Sequence, residues 1–258
     1  MRRLTPYILI LSLFALTASA ADLRGVWRAK VEGDRVHLDL MQDGSRYGHS
    51  FSRADLQGIT DAQINSAAEA PVSFTMARDA GSIAMTGTFE AGEGVGRFKF
   101  TPNRSYGDSL HTLGVPIDEE LSDEHLFSLA MLDISSAFIR EMKSLSYAES
   151  LGQYTAFRIH GVTPQFVREL RALGYSKLTA EQLVAFRIHG VTSDFVRELL
   201  NLGYTAVSSE QLVAMRIHGV TPRFIRELKD AGYENVPVEK LIEMRIHGID
   251  VEFLRRAK

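Results

Sequence analysis

The segment GVTPQFVRELRALGYSKLTAEQLVAFRIH, Gly161–His189, decides the fold because the chain repeats it. AFRIHGVT at Ala156–Thr163 recurs letter for letter at Ala185–Thr192, followed by AMRIHGVT at Ala214–Thr221 and EMRIHGID at Glu243–Asp250. His160, His189, His218 and His247 stand 29 residues apart, and Tyr175, Tyr204 and Tyr233 keep the same step. Self-similarity at such a period marks a repeat architecture, in which each unit is too small to bury its own apolar face and stacks on its neighbours.

Local chemistry divides the unit into two helices. Thr163 is placed to cap the first by accepting from an unpaired backbone N–H. Pro164 follows at the first helical position, where its missing N–H costs nothing. Phe166, Leu170 and Leu173 recur at i, i+4, i+7 as one apolar face, and Gly174 ends the helix in a left-handed turn with Tyr175 as an apolar contact behind it. Thr179-x-x-Gln182 opens the second helix as a capping box, repeated at Ser208-x-x-Gln211 and Ser150-x-x-Gln153. Leu183, Phe186 and the pair Val184/Ile188 are expected on its buried side. Gly190 stops it and Thr192 caps the next helix. Each helix has about ten residues, too few to be stable alone in water, so stacking must supply the stability.

The template extends outward with decay. ISSAFIREMKSLSY (Ile134–Tyr147) matches VTPQFVRELRALGY (Val162–Tyr175), with Leu132 and Asp133 in the His and Gly positions. Asn103–Val115 reads as a more worn first helix capped by Asn103, Ser122–Leu132 as its partner, and DVEFLRRAK (Asp250–Lys258) as a closing cap. Residues 103–258 are therefore expected to form an α-solenoid of about five helical hairpins plus a terminal cap.

Residues 21–102 follow a different period. GVWRAKV (Gly25–Val31), VHLDLM (Val36–Met41), VSFTMA (Val72–Ala77), SIAMTGTF (Ser82–Phe89) and RFKF (Arg97–Phe100) alternate as half-buried strands do. Trp27 is expected to point inward. Asp43-Gly44, Asp79-Ala80-Gly81 and Gly92-Glu93-Gly94 mark turns, and Thr60 caps a short helix over Ile59–Ala67. A small antiparallel β-domain of about six strands, barrel-like or a sandwich, is predicted, so that the fold class is α+β. Gly25-x-Trp27 at its start resembles the opening of lipocalins, which implies carriage of a small apolar ligand, although the segment is short for an eight-stranded cup.

Among the chain's 258 residues there is no cysteine, and the formal net charge is −3. Disulfides and thiolate chemistry are excluded, and no overall attraction to polyanions follows. Arg2-Arg3, the apolar stretch Tyr7–Leu16 and Ala18-Ser19-Ala20 have the order of a secretory signal peptide over residues 1–20 cleaved after Ala20, predicting a periplasmic or secreted product with no other membrane-spanning segment.

Two ladders carry candidate chemistry. His160, His189, His218 and His247 precede Gly161, Gly190, Gly219 and Gly248, so a structural role at the helix C-terminus is expected, with imidazole donating to a free carbonyl. Equivalent histidines on helices about 10 Å apart cannot share one metal ion, and no metal or other cofactor is predicted. Arg158, Arg187, Arg216 and Arg245 form the second ladder, and Arg168, Arg197 and Arg226, each followed by Glu, a third. Pairing with those glutamates and an anion-reading groove are the two readings of these arginines. A helix-hairpin-helix reading of HGVTP would present amides to nucleic acid, but Thr163, Thr192 or Thr221 stands in place of its second glycine. Residues 151–258 also carry fifteen Lys+Arg against twelve Asp+Glu, a thin basic footprint. No catalytic motif is present.

At FRIHGVTPQFVRELRALGY (Phe157–Tyr175) the sequence resembles an uncharacterised repeat of exported bacterial proteins, also found beside membrane zinc-metallopeptidases of the beta-lactam-sensor type. The peptidase's zinc motif is absent here, so its catalysis does not carry over. The resemblance implies an extracytoplasmic adaptor or sensing module with a membrane sensor among its partners. The expected function is non-enzymatic binding of a protein or peptide, with the arginine ladders making polar contacts; nucleic-acid binding and ligand carriage by the β-domain are the alternatives.

Overall fold

The computed structural model describes residues 23–42, 44–117 and 120–256, so the expected signal peptide lies outside the described residues. The chain divides into two compact units, one built from residues up to Ser52 with Gly58–Phe74 and Ala84–Thr101, the other from Arg53–Gln57, Thr75–Ile83 and Pro102 onward. The division is not the single boundary at residue 102 expected from composition: two short segments of the first hundred residues belong to the helical unit.

Six strands, β1 (Arg24–Glu32), β2 (Arg35–Gln42), β3 (Ser45–Ser52), β4 (Ala70–Arg78), β5 (Gly81–Glu90) and β6 (Glu93–Pro102), form one sheet in the order β3-β2-β1-β6-β5-β4. β1 runs antiparallel to both β2 and β6, with Trp27 opposite Leu40 on one side and Gly96 on the other. One continuous hydrogen-bonded sheet stands where a sandwich would have two. Very short links keep β1, β2 and β3 beside one another, and β4, β5 and β6 likewise. The free flank of β4 is met by an isolated antiparallel bridge between Gln57 and Thr75. β3, SRYGHSFS, was not expected as a strand; Phe51 is its one fully buried residue, and its polar alternation carries no apolar signal. A short helix, α1 (Asp61–Ile64), carries the Thr60–Gln63 capping box.

Trp27 is 1% exposed and does point inward. Its ring meets Phe74 at 5.4 Å and Phe89 at 5.6 Å between centroids, and its Nε1–H is shared between the carbonyl oxygens of Thr86 (3.2 Å) and Arg97 (3.1 Å). Three glycines make room for the indole. A Cβ on Gly87, Gly94 or Gly96 would stand 2.9, 2.8 or 2.7 Å from it, closer than carbon atoms pack.

Eleven further helices follow among the described residues: α2 (Tyr106–Thr112), α3 (Asp123–Met131), α4 (Ser136–Ser144), α5 (Leu151–His160), α6 (Pro164–Ala172), α7 (Ala180–Ile188), α8 (Ser193–Asn201), α9 (Ser209–Ile217), α10 (Pro222–Asp230), α11 (Val238–Ile246) and α12 (Val251–Arg256). The caps act as expected at α6, α8 and α10, where Thr163, Thr192 and Thr221 each accept from the backbone N–H three residues on at 3.1 Å. Thr179 and Ser208 complete capping boxes, whereas Ser150 supplies only its own half. Asn103 is not a cap: its side chain bonds Asp79 O and Ser105, and α2 begins at Tyr106 without a side-chain cap.

α4, α6, α8, α10 and α12 touch in succession, and so do α5, α7, α9 and α11. Phe166, Val167 and Leu170 of α6 are buried, as are their equivalents Phe195, Val196 and Leu199 of α8 and Phe224, Ile225 and Leu228 of α10. Phe157, Phe186, Met215 and Met244 fill the same position in α5, α7, α9 and α11. Each first helix ends in a turn that needs positive φ: Gly174, Gly203 and Gly232 supply it at 96°, 97° and 89°, and Ser146 adopts 65° in the diverged copy. The backbone N–H of Tyr175 closes that turn onto Leu170 O at 3.0 Å.

Candidate functional site

The second helix of each hairpin ends in the RIHG run, where the candidate residues converge. Gly161, Gly190, Gly219 and Gly248 hold φ of 71°, 71°, 72° and 66°, and Asp133 takes the same left-handed conformation at 51° in the diverged copy. The next residue closes each turn, Val162 N–H onto Phe157 O and Val191 N–H onto Phe186 O, both at 2.7 Å.

The arginine ladder packs against the array's own rings and turns, with Arg187 exposed and Arg158, Arg216 and Arg245 partly buried. Arg187 places its guanidinium 5.0 Å from the ring centroid of Phe166 and donates through Nε to the carbonyl of His160 at 3.2 Å. Arg216 and Arg245 lie 5.1 Å from Phe195 and Phe224, their Nε atoms buried without a hydrogen-bond partner. Arg158 does the same one step earlier, 5.3 Å from Phe138, donating to Leu132 O at 2.6 Å and pairing with Asp133 at 3.3 Å. Arg187, Arg216 and Arg245 thus reach from the glycine turn that ends the preceding hairpin to the aromatic ring on the first helix of their own, and Arg158 does so from the Asp133 turn. Cation–π geometry and the negative end of the preceding helix orient these four arginines, the residues expected from sequence to pair within the array or to read an anionic group.

The third ladder pairs between hairpins. Arg168 binds Glu141, and Arg226 meets Glu198 at 3.0 Å. Arg197 turns to Asp194, while Glu169 accepts from Ser193 at 2.6 Å and from Gln165 at 2.9 Å, bonds that hold its carboxyl below the ordinary range. Of the two readings offered for these residues, the pairing with glutamate is the one the geometry favours.

The histidines are exposed, and among the described residues their rings make no hydrogen bond; at the end of α5 it is Arg187 of the next hairpin, not an imidazole, that donates to the carbonyl of His160. A second tether was missed altogether. The hydroxyl of Tyr147 donates to Leu178 O at 2.8 Å, and those of Tyr175 and Tyr204 donate to Val207 O and Val236 O at 2.7 Å. Burial pushes all three phenols up in pKa. Their fixed spacing was the available signal, read only as an apolar contact.

Among the residues the array presents to solvent is an aliphatic row. Ile159, Ile188, Ile217 and Ile246 are 60%, 55%, 55% and 56% exposed, one at the C-terminal end of each of α5, α7, α9 and α11. Ile188 had been expected in the core. Between α7 and α9 a recess of about 320 Å³ is lined by Ala185, Val213, Ala214 and Ile217, with Glu210 and His218 among the polar residues around it.

No family model, curated protein or solved structure matches the chain. The reading of the site therefore rests on its own geometry. The amides of the HGVTP turn, which a helix-hairpin-helix would offer to phosphate, are engaged within the chain at Gly161 and Val162, and Arg187 lies over the glycine. In the sheet, Trp27, Phe74 and Phe89 occupy the interior where a carried ligand would sit. No group of three or more His, Asp or Glu gathers as metal ligands among the described residues, and no described helix is long and apolar enough to cross a membrane.

A charged cluster lies within the helical unit. Asp133 is approached by Arg78 at 3.4 Å and Arg158 at 3.3 Å, Arg78 also meets Asp55 at 3.3 Å, and Asp79 accepts from the backbone N–H of Ser136 at 2.8 Å. Burial raises the Asp133 carboxyl above its ordinary value and lowers Arg158, so desolvation outweighs attraction on both sides of that pair. It ties the 75–83 hairpin to α4 and α5, and because its charges are satisfied by one another it reads as structural.

Proposed function

We infer that the helical part is an α-solenoid of 29-residue repeats serving as a non-enzymatic docking scaffold in an extracytoplasmic adaptor or sensing module, and that it binds a protein or peptide segment through the isoleucine ladder. The observation that carries this reading is the exposure of Ile159, Ile188, Ile217 and Ile246, each above half. Single exposed aliphatic residues are commonplace, but four at one repeated position make a contiguous patch. Packed helices lie about 8–10 Å apart, so the ladder offers one aliphatic contact at about that interval. Seven residues of an α-helix rise about 10.5 Å, and an amphipathic helix laid across the row would bring one apolar side chain to each rung. Export, the cleaved signal peptide and a membrane-sensor partner belong to the same proposal, supported by the leader-like first twenty residues and the resemblance of the repeat.

The test is selection of peptides from a displayed library against the whole protein, followed by rebinding to Ile188→Asp/Ile217→Asp and to Arg168→Ala/Arg226→Ala. Loss of binding in the first variant alone, with its melting temperature unchanged, is the expected result. Equal binding by the isoleucine variant would remove the ladder from the interface.

A further inference from the structure

The sheet carries an independent feature. On β1 the side chains of Arg24, Val26, Arg28 and Lys30 alternate with buried Trp27 and Ala29 and point outward, and on β6 Val95, Arg97 and Lys99 do the same. The register sets Lys99 opposite Arg24, Arg97 opposite Val26 and Val95 opposite Arg28. On the other flank Arg28 stands opposite Asp39, whose carboxylate already accepts from Arg46 at 2.9 and 2.6 Å, which depresses its pKa. Arg28, Lys30 and Arg97 make no ion pair among the described residues. Val26 and Val95, 48% and 55% exposed, sit among these cations.

In a chain of formal net charge −3, this is a local reversal of sign. Glu32, Glu90 and Glu93 lie at the strand ends beside the turns, with Glu93 opposite Lys30 in the register, while Arg24, Arg28, Arg97 and Lys99 stand farther along the strands. Aliphatic side chains interleaved with cations match a surface that is anionic outside and apolar beneath. The outward positions of β1 and β6 carry no aromatic residue, so they lack the stacking platform by which single-stranded nucleic acid is held.

We propose that the outer face of β1 and β6 docks on an anionic phospholipid bilayer, with Arg28, Lys30 and Arg97 at the headgroups and Val26 and Val95 at the acyl boundary. This site is separate from the isoleucine ladder and does not rest on the function proposed for it. The experiment is co-sedimentation of the full chain with vesicles of phosphatidylcholine alone and with added phosphatidylglycerol, across a salt series. Wild type should sediment with the anionic vesicles and be released as salt rises. Arg28→Glu/Arg97→Glu should bind at least about tenfold more weakly, since each cation near an anionic surface contributes appreciably. Arg28→Gln/Arg97→Gln should fall between, and Ile188→Asp/Ile217→Asp should bind as wild type does. Circular dichroism on each variant establishes that it folds. Equal sedimentation with neutral and anionic vesicles, undiminished binding by the folded charge-reversed protein, or preference for a single-stranded oligonucleotide over the vesicles would each overturn the proposal.

Discussion

Arg187 and Phe166 face each other within one hairpin: the guanidinium of the first lies 5.0 Å from the ring centroid of the second, while its Nε reaches back to the carbonyl of His160 in the hairpin before. The ring contact recurs at Arg216 over Phe195 and Arg245 over Phe224, where Nε has no hydrogen-bond partner. Each of these arginines thus packs on a ring of its own repeat and on the glycine turn that ends the repeat before, a planar and cationic contact beside the apolar packing. It explains why Arg, Phe and Gly recur together: a Cβ on Gly161 would lie 2.9 Å from the Arg187 guanidinium.

Arg216→Ala should lower stability by about 1–2 kcal/mol, the range for a partly desolvated cation–π contact. Arg216→Lys should recover only part of it, because an ammonium cannot stack flat on the ring. Urea denaturation of the three proteins measures this. A cost indistinguishable from zero for the alanine variant would show that the guanidinium merely rests on the turn.

Tyr204→Phe removes one hydroxyl whose hydrogen bond reaches Val236 O at 2.7 Å. A loss of about 1 kcal/mol is expected. The carbonyl it leaves lies just before α11, and repeat arrays couple through nearest neighbours, so hydrogen exchange should quicken in α11 more than in α5. Uniform acceleration through both helices would contradict a local tether.

Gly96→Ala tests the cradle around the indole. The added Cβ would stand 2.1 Å from Thr86 O and 2.7 Å from Trp27, so the strands must part, at about 3 kcal/mol. Trp27 is the only tryptophan, and its fluorescence should shift to the red. Gly107→Ala, in α2 with nothing within 4 Å of the new Cβ, should instead stabilise by roughly 0.5–1 kcal/mol.

Asp133→Asn addresses pH. Burial lifts the folded-state pKa of Asp133 above its ordinary value of 3.8. A carboxyl raised in this way favours the folded state most when protonated, so its contribution is complete below the unfolded pKa and is lost as pH rises through the folded one. Wild type should therefore gain stability relative to Asp133→Asn as pH falls through the window just above 3.8. Asparagine tolerates the left-handed backbone held there, so the variant keeps the turn. Thermal melts of both proteins across that window check the sign, and a difference independent of pH would exclude titration at this carboxyl.

The threonine caps, the prolines at the first helical position and the glycine turns were legible from order alone, because each is a contract between residues within about four positions. The strands of β1, β2, β4, β5 and β6 were legible for the same reason: alternation is local. β3 escaped because Phe51 alone of its residues is buried, too little to write a pattern. Packing alone settled the fate of the ladders. α7 carries Leu183, Val184, Ala185, Phe186 and Ile188, apolar on so many sides that periodicity does not choose its buried face; contact with α5 and α9 turns Phe186 inward and leaves Ile188 outside. An arginine spaced by 29 residues reads alike whether it faces solvent or a ring, since the contact that distinguishes them joins two helices of a hairpin across the intervening turn.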